Sequence, residues 1–157
     1  MVILVNIGCD QISKNIARKN ISYGEVIDVI PEYFVLTKVE NTGAFLSLGS
    51  TLPETLRIIL LSVLPVGVLL LVTYFLFKHS DQKSQALALA FVVGGGIGNM
   101  YDRIVHGSVT DFVHMDFVIF QTGVFNFADL SIMIGAGIIL ANYLKNKFTP
   151  TPSKDLV

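Results

Sequence analysis

Two aspartates, Asp111 in "VTDFV" and Asp129 in "FNFADLSI", lie in apolar surroundings with no basic residue adjacent to either. An ionised carboxylate in hydrocarbon costs at least a few kcal/mol, so each needs a partner or must share its charge. Two carboxylates brought together in a low-dielectric site cannot both ionise easily. One pKa rises, the other falls, and the pair holds a single proton. That state suits hydrolysis: the ionised partner takes a proton from water while the protonated partner polarises a scissile carbonyl. Such a pair titrates as a unit, so the two roles stay unassigned from sequence. Asn126 falls on the same helical face as Asp129 and can donate a hydrogen bond to it. Paired acids of this kind also serve proton-coupled transporters, and the pattern alone leaves peptidase and transporter equally open.

Other ionisable groups cluster near the same helix ends. Asp10 and Lys14 are four residues apart, share a helical face and can neutralise each other, which reads first as a structural pair. Asn99, Asp102 and Arg103 recur at i, i+3 and i+4 at the end of "GGGIGNMYDRI". They form either an interfacial charge pair or a polar network supporting a site. Gly94 and Gly98 give the GxxxG spacing that lets helices approach closely. "HGSVTDFVHMD" offers His106, Asp111, His114 and Asp116 to a zinc ion, but without an H-E-x-x-H or comparable spacing. No metal and no cofactor are expected. Cys9, the single cysteine, excludes an internal disulfide and reads as apolar filler rather than a modified residue.

The elements that carry these residues are those of a membrane protein. The 157 residues are 52% hydrophobic, with a mean hydropathy of +0.65. From Ile58 to Phe77, "IILLSVLPVGVLLLVTYFLF" has no charge, and about 20 such residues cross a bilayer core. "SQALALAFVVGGGIGNMY" and the stretch from Phe117 to Leu144 are two further apolar blocks, too many for so short a chain to bury. The expected fold is an all-α membrane protein, a single domain over 1–157 with four transmembrane helices at about 1–19, 56–77, 85–103 and 125–145. The first is a marginal span or a truncated start, and Pro65 is expected to kink the second. Between the first two helices, 20–55 contains the alternation "EYFVLTKVEN" and the turn signal "NTG". It is expected to form a small β-rich cap on the membrane surface. The link "VHGSVTDFVHMDFVIFQTG" is expected to re-enter the interface, and the tail from about 146 to 157 to be loose. The formal net charge of -1 gives no nucleic-acid footprint.

Taken in order, "DQISK", "NTGAF", "GNMYDRI", "VTDFV" and "FNFADLSI" resemble the motif blocks of the prolipoprotein signal peptidases, the type II signal peptidases of bacteria. The resemblance runs from Asp10 to about Ile132, and five motifs in family order are a specific signal. It implies a four-helix aspartic endopeptidase of the inner (cytoplasmic) membrane, with a strand-rich cradle and the active site toward the extracytoplasmic side. The implied substrates are prolipoproteins whose cysteine already carries diacylglyceryl, with globomycin-type peptides as inhibitors. Asp111 and Asp129 match the catalytic pair. Asp10, Lys14, Asn41, Gly43, Ala44, Asn99, Asp102, Arg103, Asn126 and Ala128 match positions that shape or support the site. Membrane lipid is the other expected partner, and a monomer the expected state. Nine residues precede Asp10, fewer than family members usually have. A proton-coupled transporter would favour internal repeats and broken midplane helices, and the sequence contains no repeat.

Overall fold

The computed structural model describes residues 1–43, 51–117 and 119–148. The chain is mostly helical, with one small antiparallel sheet. In order it forms α1 (Val2–Asn20), β1 (Val26–Ile30), β2 (Phe34–Asn41), α2 (Glu54–Ile58), a π-helical turn (Ile59–Val63), α3 (Leu64–Lys78), α4 (Lys83–His106), β3 (Val109–Phe117), β4 (Phe120–Gln121) and α5 (Phe127–Phe148). The segments from α2 to α3 continue as one helix, Glu54–Lys78. Its π turn ends just before the first turn of α3, where Pro65 sits. A proline ring lacks an N–H and crowds the carbonyl four residues back, here that of Leu61, and a widened turn relieves that crowding.

The helix ends extend beyond the sequence boundaries for local reasons. α4 runs to His106 because its stop signal is Gly107, which takes φ 75° and donates its N–H to the Arg103 carbonyl at 3.1 Å. α5 starts at Phe127 because Asn126 caps it. It continues to Phe148, taking in the first residues of the expected tail; Ala44 and residues 149–157 lie outside the described residues.

The sheet corrects the expected architecture. Its order is β1-β2-β3-β4, so the cap between the first two helices supplies only half of it. The remaining strands come from the link between α4 and α5, expected to lie in the interface. β3 pairs with β2 through Leu36 with Val113, Val39 with Asp111 and Asn41 with Val109. An apolar link has backbone N–H and C=O groups to satisfy, and joining the sheet satisfies them.

α4 is the central helix and packs against α1, α3 and α5. Its glycines set those distances. A Cβ at Gly94 would meet Asn6 of α1 at 2.8 Å, and one at Gly98 would meet Asp10 Oδ2 at 2.5 Å. A Cβ at Gly95 would run into the Ala128 carbonyl of α5. Under the sheet, Ala17 of α1 and Ile21 just after it bury themselves against Phe112 and Val113 of β3, enclosed by Phe34, Leu36, Met115 and Phe125.

Glu54–Lys78 and Phe127–Phe148 are long and apolar enough to cross a membrane, with mean hydropathies of 2.6 and 1.6. The first turns most of its apolar side chains outward, Leu70 and Phe77 among them, as a helix with a lipid-facing surface does. α1 and α4 instead carry the buried charges.

The helix packing predicts that Gly95→Val destabilises the protein by about 1–3 kcal/mol, because backbone must give way. Gly137→Ala, at a position with nothing within 4 Å, should be neutral or slightly stabilising. Thermal unfolding in detergent micelles checks both, and equal melting of the two variants would contradict the packing.

Candidate active site

The site is built around the N-terminus of α5. Asn126 is the N-cap. Its Oδ1 accepts the N–H of Asp129 at 3.0 Å, and the Asp129 Oδ2 accepts the N–H of Asn126 at 3.2 Å. This reciprocal pair is a capping box, which fixes the Asp129 carboxyl against its own helix end. The N–H of Ala128, another donor that a helix start leaves free, goes to Asp10 Oδ1 of α1 at 2.9 Å. Ala128 is fully buried against the notch that Gly95 and Gly98 leave in α4.

Asp10 is one of four charges meeting between α1 and α4. Lys14 Nζ lies 2.9 Å from Asp10 Oδ2 and 3.0 Å from Asp102 Oδ2, with all three side chains fully buried. It also donates to Asn99 Oδ1 at 2.9 Å. An ammonium has three N–H donors, and here each has an acceptor. Arg18 Nη2 pairs with Asp102 Oδ1 at 2.8 Å, so two cations face two carboxylates and the cluster is neutral. Arg18 Nε donates to Thr110 Oγ1, which donates to Glu40 Oε1, both at 2.8 Å. This line ties the cluster to β2 and β3.

Asn99 joins the cluster to Asp129. Its oxygen accepts from Lys14 and from Asn126 Nδ2, and its Nδ2 donates to Asp129 Oδ1 at 2.8 Å. Lysine can only donate, so the amide orientation is forced: oxygen toward Lys14, nitrogen toward the carboxylate. The same logic fixes Asn126, whose oxygen faces the Asp129 N–H. Its Nδ2 therefore faces Asp111 Oδ1, at 2.6 Å.

Asp111 arrives from the opposite side, on β3. Its other oxygen accepts from Asn41 Nδ2 of β2 at 3.0 Å, while Asn41 Oδ1 accepts the N–H of Gly43 at 3.0 Å. The Gly43 carbonyl in turn accepts from Arg103 Nη2 at 3.1 Å. Asp111 is only 3% exposed. Burial pushes its carboxyl up to about 6; the Asn41 hydrogen bond opposes this and the negative charge of Asp129 reinforces it. Asp129 is half-buried, so one carboxyl of the pair faces inward and the other is reachable from outside.

Every described residue that the resemblance assigns to the site falls in one connected polar network: Asp10, Lys14, Asn41, Gly43, Asn99, Asp102, Arg103, Asp111, Asn126, Ala128 and Asp129. Ala44 lies outside the described residues. Among the described residues, no three His, Cys, Asp or Glu side chains come together to hold a metal ion. Four members of the network were not anticipated, one of them Glu40, which accepts from Thr110. Gln11 Nε2 lies 3.0 Å from Asp10 Oδ2 and 3.1 Å from Asp102 Oδ1. Arg18 follows Lys14 by one more step of four along α1, a spacing that could have revealed it. Thr110 carries no sequence signal of its own.

The geometry predicts that Lys14→Ala acts on the fold first. It leaves Asp10 with no cation and Asp102 with one fewer, at a cost of about 3–5 kcal/mol. The expected outcome is a large drop in melting temperature or yield in micelles. An unchanged melting curve with only substrate affinity altered would contradict the structural reading of this lysine.

Residues 2–145 match the model of the family described as signal peptidase (SPase) II. The lipoprotein signal peptidase of Pasteurella multocida is 37% identical over 142 residues, covering 90% of this chain and 85% of that one. That of Aquifex aeolicus is 34% identical over 150 residues, covering 94% and 84%. The Streptococcus pneumoniae protein is 33% identical over 148 residues, covering 94% and 92%. Two solved structures of bacterial membrane enzymes share the fold. One has a TM-score of 0.86 at 24% identity, over 99% of this chain and 92% of that one. The other has a TM-score of 0.82 at 25% identity, over 92% and 91%. The chain belongs to the signal peptidase II family and is a membrane peptidase.

Proposed function

We propose that this chain is an intramembrane aspartic endopeptidase that removes the signal peptide from diacylglyceryl-modified prolipoproteins. Asp111 and Asp129 activate a water that attacks the bond before the lipidated cysteine. The observation that carries this reading is the pair of bonds made by Asn126, whose side-chain amide donates to Asp111 and whose backbone N–H donates to Asp129. One residue thereby holds both carboxyls. The raised Asp111 carboxyl fits a pair that carries one proton between them. In that state the ionised oxygen takes a proton from the attacking water and the protonated one polarises the peptide carbonyl. As the tetrahedral intermediate collapses, a proton passes to the leaving amine.

The substrate class rests on the family and on the names of its members, each a lipoprotein signal peptidase. The proton-coupled transporter has no support among these relatives. In the proposed arrangement four helices span the bacterial inner membrane, the sheet lies over its extracytoplasmic surface, and a monomer acts alone. Globomycin-type peptides inhibit by occupying the pair. A lipidated cysteine remains in the bilayer, so the enzyme that cuts beside it has to place its acids at membrane depth.

Asp111→Asn and Asp129→Asn should each reduce cleavage of a diacylglyceryl-modified precursor to below about 1% of wild type. Both should still extract as folded protein, because the amide keeps the carboxyl's shape, although it cannot share the proton and exchanges one accepting oxygen for a donor. Substantial turnover by either variant would remove the dyad. Asp111 holds its proton below about pH 6, so kcat/KM should show an alkaline limb with a midpoint near 6. Asn41→Ala removes a hydrogen bond that favours the charged carboxyl and should move that midpoint upward. A downward move would contradict the assignment.

A further inference from the structure

At the sheet end of the helices, a hollow of about 260 Å³ opens between the start of the helix Glu54–Lys78 and the end of α4. Thr42, Glu54, Arg57, Ser62 and Arg103 line it. Two guanidinium groups thus face one carboxylate, and both arginines are half-buried while Glu54 is exposed. Among the described residues, the ion pairs are those of Lys14 and Arg18, so Arg57 has no carboxylate partner. A charge at the entry of a helix long and apolar enough to cross a membrane is costly to keep unpaired, and its position there points to a ligand.

The hollow adjoins the dyad from two sides. Thr42 follows Asn41, whose amide donates to Asp111. Arg103 also borders a neighbouring hollow that reaches Asn99, the donor to Asp129. The negative charges of Asp111 and Asp129 both act on Arg103. Its guanidinium has five N–H donors, one of which goes to the Gly43 carbonyl.

We infer that this hollow receives the carboxylate that cleavage creates: the new C-terminus of the released signal peptide leaves the dyad, passes Arg103 and pairs with Arg57. The inference rests on the peptidase reaction proposed above. In that reaction the water oxygen joins the carbonyl carbon and the C–N bond breaks. Near neutrality both protons of the water end on the departing amine, and the signal peptide ends in a carboxylate, since a terminal carboxyl has a pKa of about 3.3–3.7. The dyad has meanwhile returned to one proton and one negative charge. A carboxylate left beside it is repelled, and it occupies the place of the next water. Arginine suits its removal, because the guanidinium fork donates two parallel N–H bonds to the two carboxylate oxygens. Before cleavage the same carbonyl belongs to a neutral amide, which offers a guanidinium far less. Charge therefore separates product from substrate at a point beside the bond that is cut.

The test uses the free signal peptide, fluorescently labelled at its N-terminus and ending either in a carboxylate or in a carboxamide. Its binding to the protein in micelles is read by anisotropy. Wild type should bind the carboxylate form about tenfold more tightly. Arg57→Gln should cut that preference to about threefold or less, and Arg57→Lys, which keeps the charge without the fork, should retain part of it. Leu70→Ala, at an outward position of the same helix, should keep the full preference. Equal binding of both peptides by wild type, or an undiminished preference in Arg57→Gln, would overturn the carboxylate site and leave the proposed function intact. Failure of wild type to cut a lipidated precursor would instead remove the proposed function itself. As a second measurement, made on wild type alone, the carboxylate peptide carries a diazirine in its last residue and is irradiated. Adducts should map to Thr42, Arg57 and Ser62. Adducts confined to β3 and α5 would overturn the assignment.

Discussion

A lysine ammonium with no access to water has to be neutralised where it stands, and Lys14 is neutralised by carboxylates from two helices. Much of the site depends on this. With Asp10 held by Lys14, its second oxygen is free to take the Ala128 N–H, which docks the start of α5 against α1. With Asp102 held, it can also accept Arg18, whose other nitrogen reaches Thr110 at the base of the sheet. With all three of its donors used, the lysine adds no direct ion pair to Asp111 or Asp129. Burying such a cluster costs several kcal/mol per ion before pairing repays it, and the repayment requires this one arrangement of α1, α4 and α5. The charges specify geometry more than they add stability.

Asn126 converts that geometry into a site. The residue caps a helix, fixes the Asp129 carboxyl through a capping box and reaches Asp111 on a strand. A serine or aspartate could cap the same helix, but neither also supplies the two amide N–H donors that Asp111 and Asn99 receive. The need for an N-cap that also donates explains why an asparagine stands there. On the other side, antiparallel pairing of β2 with β3 brings Asn41 and Asp111 within one hydrogen bond. The sheet therefore does more than cover the helices, since it delivers Asp111, half of the proposed dyad.

The helices, both aspartates and most of their partners were legible in the sequence, because charge is so expensive in apolar segments that each charged residue marks itself. Capping was legible only in part. Asn126 was identified as a partner of Asp129, but not as the helix's first cap. β3 was not legible as a strand. All five residues of "VTDFV", with which β3 begins, are buried, and a strand covered on both faces loses the alternation by which strands are recognised. Gln11, Arg18, Glu40 and Thr110 were missed because their importance comes from what they meet on other elements. The π turn before Pro65 was missed for a different reason: a proline in a long apolar helix announces a disturbance without saying which way the backbone will relieve it.

The central claim is that Asp111 and Asp129 hold a single proton between them. Infrared spectroscopy of protein labelled with carboxyl-13C aspartate measures this directly, as the difference between wild type and Asp111→Asn at about pH 5. The account predicts one protonated aspartic acid in that difference. No protonated carboxyl in it, with both aspartates ionised, would contradict the account.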